Sequence, residues 1–389
     1  MSPRDDNTTL RRFRPLRLAL LLLAITAGFG GCGGDDDPVG PTPEGYRTWH
    51  TTPDGTGSDC GMPQECLDAA AAGDTIEFAA GGYDTPADTL VDDGMGGVVS
   101  AILSARRSQV LRAAPGADVR VNGMWRPGSL GLHVRAGDDT VVVRGIRFDN
   151  CDAGLRAAGG TVMIEECEFV SGQHGIVADD AELDIRNSLF MEYAAEAMVL
   201  RNCTGRMTRS QFWGNTYGPY LAESRDFTLE HTLIALCCLT GIRIEEGGVV
   251  RLRNVTVTGV GMVPDDSTGV VVAGGAHAVI ERSVIAHNRG FGIDCRTGGS
   301  AEVRCSDVVQ HSSGNYHGCP DVTGTMGNLS VDPGFCGPDD LDFHFKADSP
   351  ARLASCGGMG AFVDEPCGPF NRPPWRRWPD LSVARPGRD

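Results

Sequence analysis

Five side chains between residues 174 and 217 have the chemistry of a carbohydrate site. His174 and Glu196 are candidate acid–base groups, because an imidazole and a carboxylate can exchange protons with a sugar; Tyr217 is the third catalytic candidate. Glu192 and Trp213 are candidate substrate-binding residues, since a carboxylate accepts hydroxyl bonds and an indole stacks on a sugar ring. The alternative is that all five are solvated turn residues.

A repeat of about 22 residues spaces these candidates, and we expect it to stack them. Nine-residue copies begin at residues 140, 161, 182, 204, 226, 249 and 277. Their fourth and ninth positions are apolar, as in Val143 and Phe148, and the residues between them alternate as in a strand. The copies read TVVVRGIRF, TVMIEECEF, ELDIRNSLF, TGRMTRSQF, DFTLEHTLI, VVRLRNVTV and HAVIERSVI.

The repeat predicts an all-β fold, a single-stranded right-handed parallel β-helix over residues 46–363. A coil with two or three short strands cannot bury its apolar face alone, so neighbouring coils must stack into a continuous core. A second short strand in each unit opens with a small residue followed by an apolar one, as in Gly175-Ile176. On this fold His174, Glu196 and Tyr217 would lie in one row, about 5 Å apart on consecutive coils.

The sequence resembles the pectate-lyase-like superfamily of parallel β-helix proteins. Besides the repeats, the resemblance rests on Trp49-His50-Thr51, on the stretch from Leu67 to Ile76, and on the closing segments Gly327–Phe335 and Asp342–Phe345. It implies a short N-terminal helix that caps the first coil and a C-terminal segment that closes the solenoid. Both ends of an open solenoid expose strand edges that need a cover.

The resemblance also implies a way to cleave polysaccharides, which the sequence supports only weakly. Lyases of this superfamily use Ca²⁺ on an acidic cluster and an Arg or Lys base. Asp149, Asp152, Asp179 and Asp180 supply acid but no tight column of carboxylates, and no Cys/His group has zinc spacing. We therefore predict no metal site and identify no cofactor, with Ca²⁺ expected only if the protein is a lyase; the sequence leans away from an enzyme.

The two termini predict export and anchoring. Residues 1–31 combine an Arg-rich start with a short apolar run and resemble a bacterial lipoprotein signal peptide, which would leave Cys32 as the lipidated first residue. Residues 32–45 form an acidic, Pro-containing tether, and residues 364–389 a Pro/Arg-rich tail without a strand pattern. We expect a protein anchored in the bacterial cell envelope, at the outer membrane, or secreted.

The net charge limits the partners that we expect. The net charge of −17 argues against nucleic acid, which needs basic patches. It also limits membrane contact to the lipid anchor, and we expect a monomer.

In an oxidising compartment most cysteines should pair. Cys60 and Cys66 form a close local pair, and we expect the C-terminal cysteines to pair among themselves: Cys319, Cys336, Cys356 and Cys367.

Three functions follow from these features. The leading hypothesis is a surface protein that binds polysaccharide or acts as a scaffold, because a solenoid offers evenly spaced contacts. The first alternative is a divergent polysaccharide lyase or glycoside hydrolase that uses His174, Glu196 and Tyr217. The second is an adhesin without a sugar ligand, which would present loops such as residues 261–268.

Overall fold

A computed structural model of the protein describes residues 45–84, 90–92, 98–261, 267–365 and 367. Over these residues the chain is an all-β parallel solenoid of about 11 turns with one helix, which confirms the predicted fold class. Each turn contributes strands to as many as three faces, all within one hydrogen-bonded sheet. No helix in this part of the chain is long and apolar enough to cross a membrane.

The first face carries the first core column of the repeat. Its strands pair in parallel from one coil to the next. They are β1 (Thr48–Thr51), β2 (Thr75–Phe78), β6 (Gln109–Ala113), the ends of β8 (Ser129–Arg144) and β9 (Ile146–Glu165), β11 (Glu182–Arg186), β14 (Thr204–Thr208), β17 (Arg225–Glu230), β20 (Val249–Arg253), β23 (His277–Glu281) and β26 (Ser300–Arg304).

The second face carries the phenylalanine column. Besides the start of β9 it comprises β3 (Gly81–Tyr83), β7 (Val119–Asn122), the start of β10 (Glu168–Asp179), β12 (Leu189–Tyr193), β15 (Gln211–Trp213), β18 (Leu233–Ala235), β21 (Thr256–Thr258), β24 (Val284–Ala286) and β27 (Asp307–Val309).

The third face carries the candidate row. It uses the start of β8, the middle of β9 and the end of β10. Its other strands are β4 (Leu90–Asp92), which is antiparallel to β5 (Val98–Ala105), then β13 (Glu196–Arg201), β16 (Tyr217–Ala222), β19 (Thr240–Glu245), β22 (Thr268–Val272), β25 (Phe291–Cys295) and β28 (Gly314–His317).

The core is built from the two apolar columns of the repeat. Val143, Ile164 and Ile185 are fully buried in one column, and Phe148 and Phe169 in the other. Four phenylalanine rings stack nearly parallel on consecutive coils with centroids 4.5–5.1 Å apart. This offset-parallel contact adds stabilisation to the burial of the rings. The rings are those of Phe148, Phe169, Phe190 and Phe212.

A column of small residues allows the coils to stack at the start of the third face. A Cβ added at Gly218 would lie 1.9 Å from the carbonyl oxygen of Gly241 on the next coil. At Gly175 it would lie 2.6 Å from the carbonyl oxygen of Ala197 and 2.9 Å from the Phe190 ring. The small residue that opens the second strand of each unit is therefore required by close approach of the backbone.

A buried polar ladder holds the turn between the first and second faces. The amide of Ser188 donates to Ser210 Oγ, and the amide of Ser283 donates to Ser306 Oγ at 3.1 Å. Each hydroxyl also donates to a carbonyl two residues earlier, as Ser283 does to Glu281 at 2.9 Å. The ladder satisfies backbone groups that the turn leaves without strand partners.

Segments near both ends of the described solenoid cover apolar surface. Helix α1 (Pro63–Ala69) buries Cys66 and Leu67 at the first coil, and it begins four residues before the Leu67–Ala72 stretch from which the sequence predicts a capping helix. The C-terminal segment, with β29 (Phe335–Gly337), a 3₁₀ turn (Pro338–Asp340) and β30 (Asp342–Phe345), packs on the outer side of the second face. Outward-facing residues of that face are thereby buried.

Candidate functional site

The register of the third face places the three catalytic candidates in one row. Glu196 pairs with Tyr217 across β13 and β16, and Ile176 pairs with Met198, which sets His174 beside Glu196. The row continues through Thr240 and Thr268. We call it the acid–aromatic row. Its central side chains are partly exposed, with 29% of His174 and 28% of Glu196 accessible.

Within the row, His174 is held by the neighbouring coil. Its Nδ1 lies 3.0 Å from the carbonyl oxygen of Glu196 and 3.7 Å from Glu196 Oε2. Because a carbonyl oxygen only accepts, Nδ1 carries the proton in this contact, and in the neutral ring Nε2 is left as an acceptor. The imidazole is thus oriented, and Nε2 is the atom available to a ligand.

A shallow depression includes part of the row and extends over three consecutive coils. Its walls combine two aromatic rings, a carboxylate and a guanidinium. The lining residues are Glu196, Tyr217, Gly218, Pro219, Tyr220, Thr240 and Arg243.

Tyr220 and Arg243 form a fixed unit in this depression. The Arg243 guanidinium carbon lies 5.4 Å from the centroid of the Tyr220 ring, within the range of a cation–π contact. Arg243 Nε donates to Glu245 at 2.8 Å, and the Tyr220 hydroxyl donates to the same carboxylate at 3.4 Å. Burial, followed by the negative charges of Glu246 and Glu245, raises the pKa of Tyr220 to about 12, so its hydroxyl stays protonated.

This arrangement suits recognition of a hydroxylated ring more than a strong catalytic step. Aromatic faces offer stacking, while a carboxylate and a guanidinium accept and donate bonds to hydroxyl groups. Tyr220 and Arg243 were missed from the sequence, although each stands between two buried residues of its strand and therefore lies on the outer face. That strand alternation was the signal that could have found them.

Trp213 is a correction to the predicted substrate-binding pair. Its side chain is 4% exposed, its ring packs against Phe343 with centroids 5.7 Å apart, and its Nε1 donates to Gln211. The indole cannot stack on a ligand because the C-terminal segment covers the second face. Glu192 is an exposed residue of β12, where it accepts a bond from Ser171 Oγ at 3.4 Å, and it lies outside the lining of the depression.

Two of the four acidic candidates, Asp149 and Asp179, are paired with arginine. Arg147 Nε donates to Asp149 at 2.6 Å, and Asp179 lies between Arg156 and Arg201. In the described part of the chain no group of three or more His, Cys, Asp or Glu residues could hold a metal ion. Asp149 and Asp179 therefore serve ion pairs, whereas Asp152 accepts the Gly128 amide at 3.1 Å and Asp180 accepts a bond from Asn202 Nδ2 at 2.6 Å.

The disulfides confirm one predicted pairing and correct another. Cys60 joins Cys66, and Cys336 joins Cys367. The expectation that the C-terminal four pair among themselves is confirmed for Cys336 and Cys367 and wrong for the other two, because Cys319 joins Cys295 and Cys356 joins Cys305. Cys295 and Cys319 are 24 residues apart, about one repeat, so the stacking of coils brings them together. Four disulfides indicate an extracytoplasmic protein.

Comparison with known proteins identifies the solenoid. Residues 130–263 match the family model described as right handed beta helix region. The described residues of this range, 130–261, form a right-handed parallel β-helix. No curated protein matches the chain by sequence. The β-helix region contains the acid–aromatic row from Ala153 to Thr240 and the whole depression.

Three solved structures show similarity at low identity. The crystal structure of pectate lyase Pel9A aligns at TM-score 0.46 and 12% identity, over 82% of this chain and 96% of that one. An alginate lyase from Paenibacillus sp. str. FPU-7 aligns at TM-score 0.40 and 13% identity, over 70% and 97%. A rhamnogalacturonan lyase aligns at TM-score 0.42 and 12% identity, over 74% and 85%.

Proposed function

We propose that the mature protein binds a polysaccharide along its third face. The observation that carries this proposal is the depression around Tyr217, Tyr220 and Arg243, where aromatic, cationic and carboxylate groups occur on consecutive coils. Coils repeat about every 4.8 Å, so equivalent contacts recur along the axis as the units of a polymer do. A chain lying along the acid–aromatic row would meet accessible polar or aromatic side chains on three consecutive coils, those of His174, Glu196 and Tyr217.

Binding without cleavage is the form of this proposal that the geometry favours. The carboxylate beside His174 is that of Glu196, and it lies 3.7 Å from Nδ1. Among the described residues no carboxylate is paired with Nε2 to complete an acid–base pair. Glycoside hydrolases commonly use two carboxyl groups that flank the scissile bond, and the acid–aromatic row supplies one, Glu196. The adhesin alternative remains a prediction, and residues 262–266 of its candidate loop lie outside the described residues.

Glycan binding by the exported domain tests the proposal. The chain is titrated with neutral glucan and uronate oligosaccharides, with and without Ca²⁺. Tyr220→Ala should lower the affinity for the oligosaccharide about three- to tenfold, the effect of losing one aromatic contact. Tyr46→Ala is the matched control, because Tyr46 is 49% exposed at the other end of the solenoid. No binding, or equal losses in both variants, would overturn the proposal.

The enzymatic alternative has a specific observation in its favour, the oriented imidazole of His174. Release of unsaturated or shortened products that Glu196→Gln and His174→Ala both abolish would establish it. If binding persists in these variants and no product forms in the wild-type protein, the row serves recognition alone.

We also propose that Cys32 anchors the protein in the cell envelope. The support is the sequence around Cys32, which lies outside the described residues, together with the disulfides of an extracytoplasmic chain. Cys32→Ala should move the protein from the membrane fraction to the soluble one. An unchanged membrane fraction would contradict the anchor.

A further inference from the structure

One coil carries an outgrowth beside the start of the third face. Asn122 pairs with Asp149, and Leu130 pairs with Ala153 of the acid–aromatic row. Seven residues, 123–129, therefore oppose three, 150–152, on the next coil, an excess of four. The register of the coils does not require these extra residues, so core packing does not explain them.

The outgrowth is a defined structure with a strained backbone. Met124 and Trp125 both have left-handed φ values, 54° and 57°, which bulky residues rarely adopt. The Trp125 amide donates to the carbonyl of Asn150 at 3.0 Å, and the Gly128 amide donates to Asp152 at 3.1 Å. Left-handed φ values recur at single turn residues of other coils, such as Asn150 and Asn187, but among the described non-glycine residues only Met124 and Trp125 adopt them in succession. Strain of this kind persists only where the surroundings fix it.

The strained backbone presents an indole to solvent. Trp125 is 63% exposed and Met124 49%, whereas the core residues on either side of the loop are buried. Polar groups lie beside the neighbouring Met124: Asn122 Oδ1 accepts the Met124 amide, and the Arg126 guanidinium lies 3.4 Å from the Met124 sulfur. A single aromatic face among polar groups matches a sugar ring better than the broad apolar patch of a protein interface.

We propose that Trp125 forms an outlying subsite for a hexose ring at the N-terminal end of the third face. The inference rests on the proposed polysaccharide binding and extends it to a second contact region. Leu130, which follows the outgrowth, is in the acid–aromatic row four coils before Tyr217, about 19 Å along the axis at 4.8 Å per coil. The row residues next to the outgrowth, Leu130 and Ala153, are buried, so a polymer bound at Tyr217 would reach Trp125 only if it spans that distance past them.

The length of the glycan makes the proposal testable. An oligosaccharide longer than this span should bind Trp125→Ala about three- to tenfold more weakly than wild type, with Trp125→Phe restoring most of the affinity. An oligosaccharide too short to reach from Tyr217 should bind Trp125→Ala and wild type equally. Leu353→Ala is the control for removing an exposed apolar side chain, because Leu353 is 67% exposed elsewhere.

Each result decides between the two proposals. A loss for long but not short oligosaccharides supports the subsite. If Tyr220→Ala weakens binding while Trp125→Ala has no effect, or acts equally at both lengths, the subsite is refuted and the proposed function stands. If no oligosaccharide binds the wild-type protein, both are refuted.

Discussion

Removing one hydroxyl from the buried turn ladder should destabilise the solenoid measurably. Ser283 Oγ accepts the amide of Val255 at 3.1 Å and donates to the carbonyl of Glu281 at 2.9 Å. Ser283 is 1% exposed and Val255 is fully buried, so water cannot replace the lost partner. Leaving a buried donor unpaired costs about 1–3 kcal/mol, and we expect Ser283→Ala to lower the free energy of unfolding by about 2 kcal/mol.

Denaturant unfolding and amide exchange measure this effect together. Exchange of the Val255 amide should quicken in Ser283→Ala, because that group loses its acceptor. Ser283→Thr should keep most of the wild-type stability. A threonine already serves at the equivalent ladder position of another coil, where Thr232 donates to the Glu230 carbonyl at 3.0 Å. Ser313→Ala, at an exposed serine, is the control. A change below about 0.5 kcal/mol with unaltered Val255 exchange would refute the reasoning, since exposed substitutions cost that little.

Three further predictions concern the small-residue column and two buried titratable groups. Gly218→Ala should cost several kcal/mol or prevent folding because its Cβ would meet a carbonyl oxygen at 1.9 Å, whereas Gly82→Ala meets nothing within 4 Å and should be tolerated in thermal melts. Burial raises the pKa of Asp307 to about 6 from 3.8, so stability should fall by up to about 3 kcal/mol as pH rises through that window, and Asp307→Asn should remove this dependence in denaturant titrations at pH 4 and 7. Burial opposes the charge of His344, but its bonds to carboxylates, including Glu365 at 3.2 Å, raise its pKa. The stability that charged His344 adds is therefore complete at low pH and is lost as pH rises through the folded-state pKa. His344→Gln should flatten that loss, and the rate of proteolysis of the C-terminal segment measures it.

The repeat made the solenoid predictable from sequence. Coils stack in register, so one apolar position, such as that of Val143 and Ile164, gives the core of every coil and the place of its strands. The same periodicity set His174, Glu196 and Tyr217 in one row. Alternation within strands is a local property, and stacking propagates it without needing knowledge of distant contacts.

Contacts that break the repeat could not be predicted in the same way. Trp213 has the strand position of an outward residue, but a segment more than a hundred residues later covers it. No periodicity marks that packing. The Cys295–Cys319 bond was within reach, because its separation is about one coil, whereas Cys305–Cys356 depends on the path of the C-terminal segment. Trp125 was missed because the outgrowth lies outside the repeat.

Amide-exchange footprinting of the glycan-bound protein tests the central claim most directly. The account predicts protection of the third face around the depression, in Glu196–Arg201, Tyr217–Ala222 and Thr240–Glu245, with no change in the C-terminal segment that covers the second face. Protection confined to the second face or the C-terminal segment, or none at a saturating glycan concentration, would contradict it.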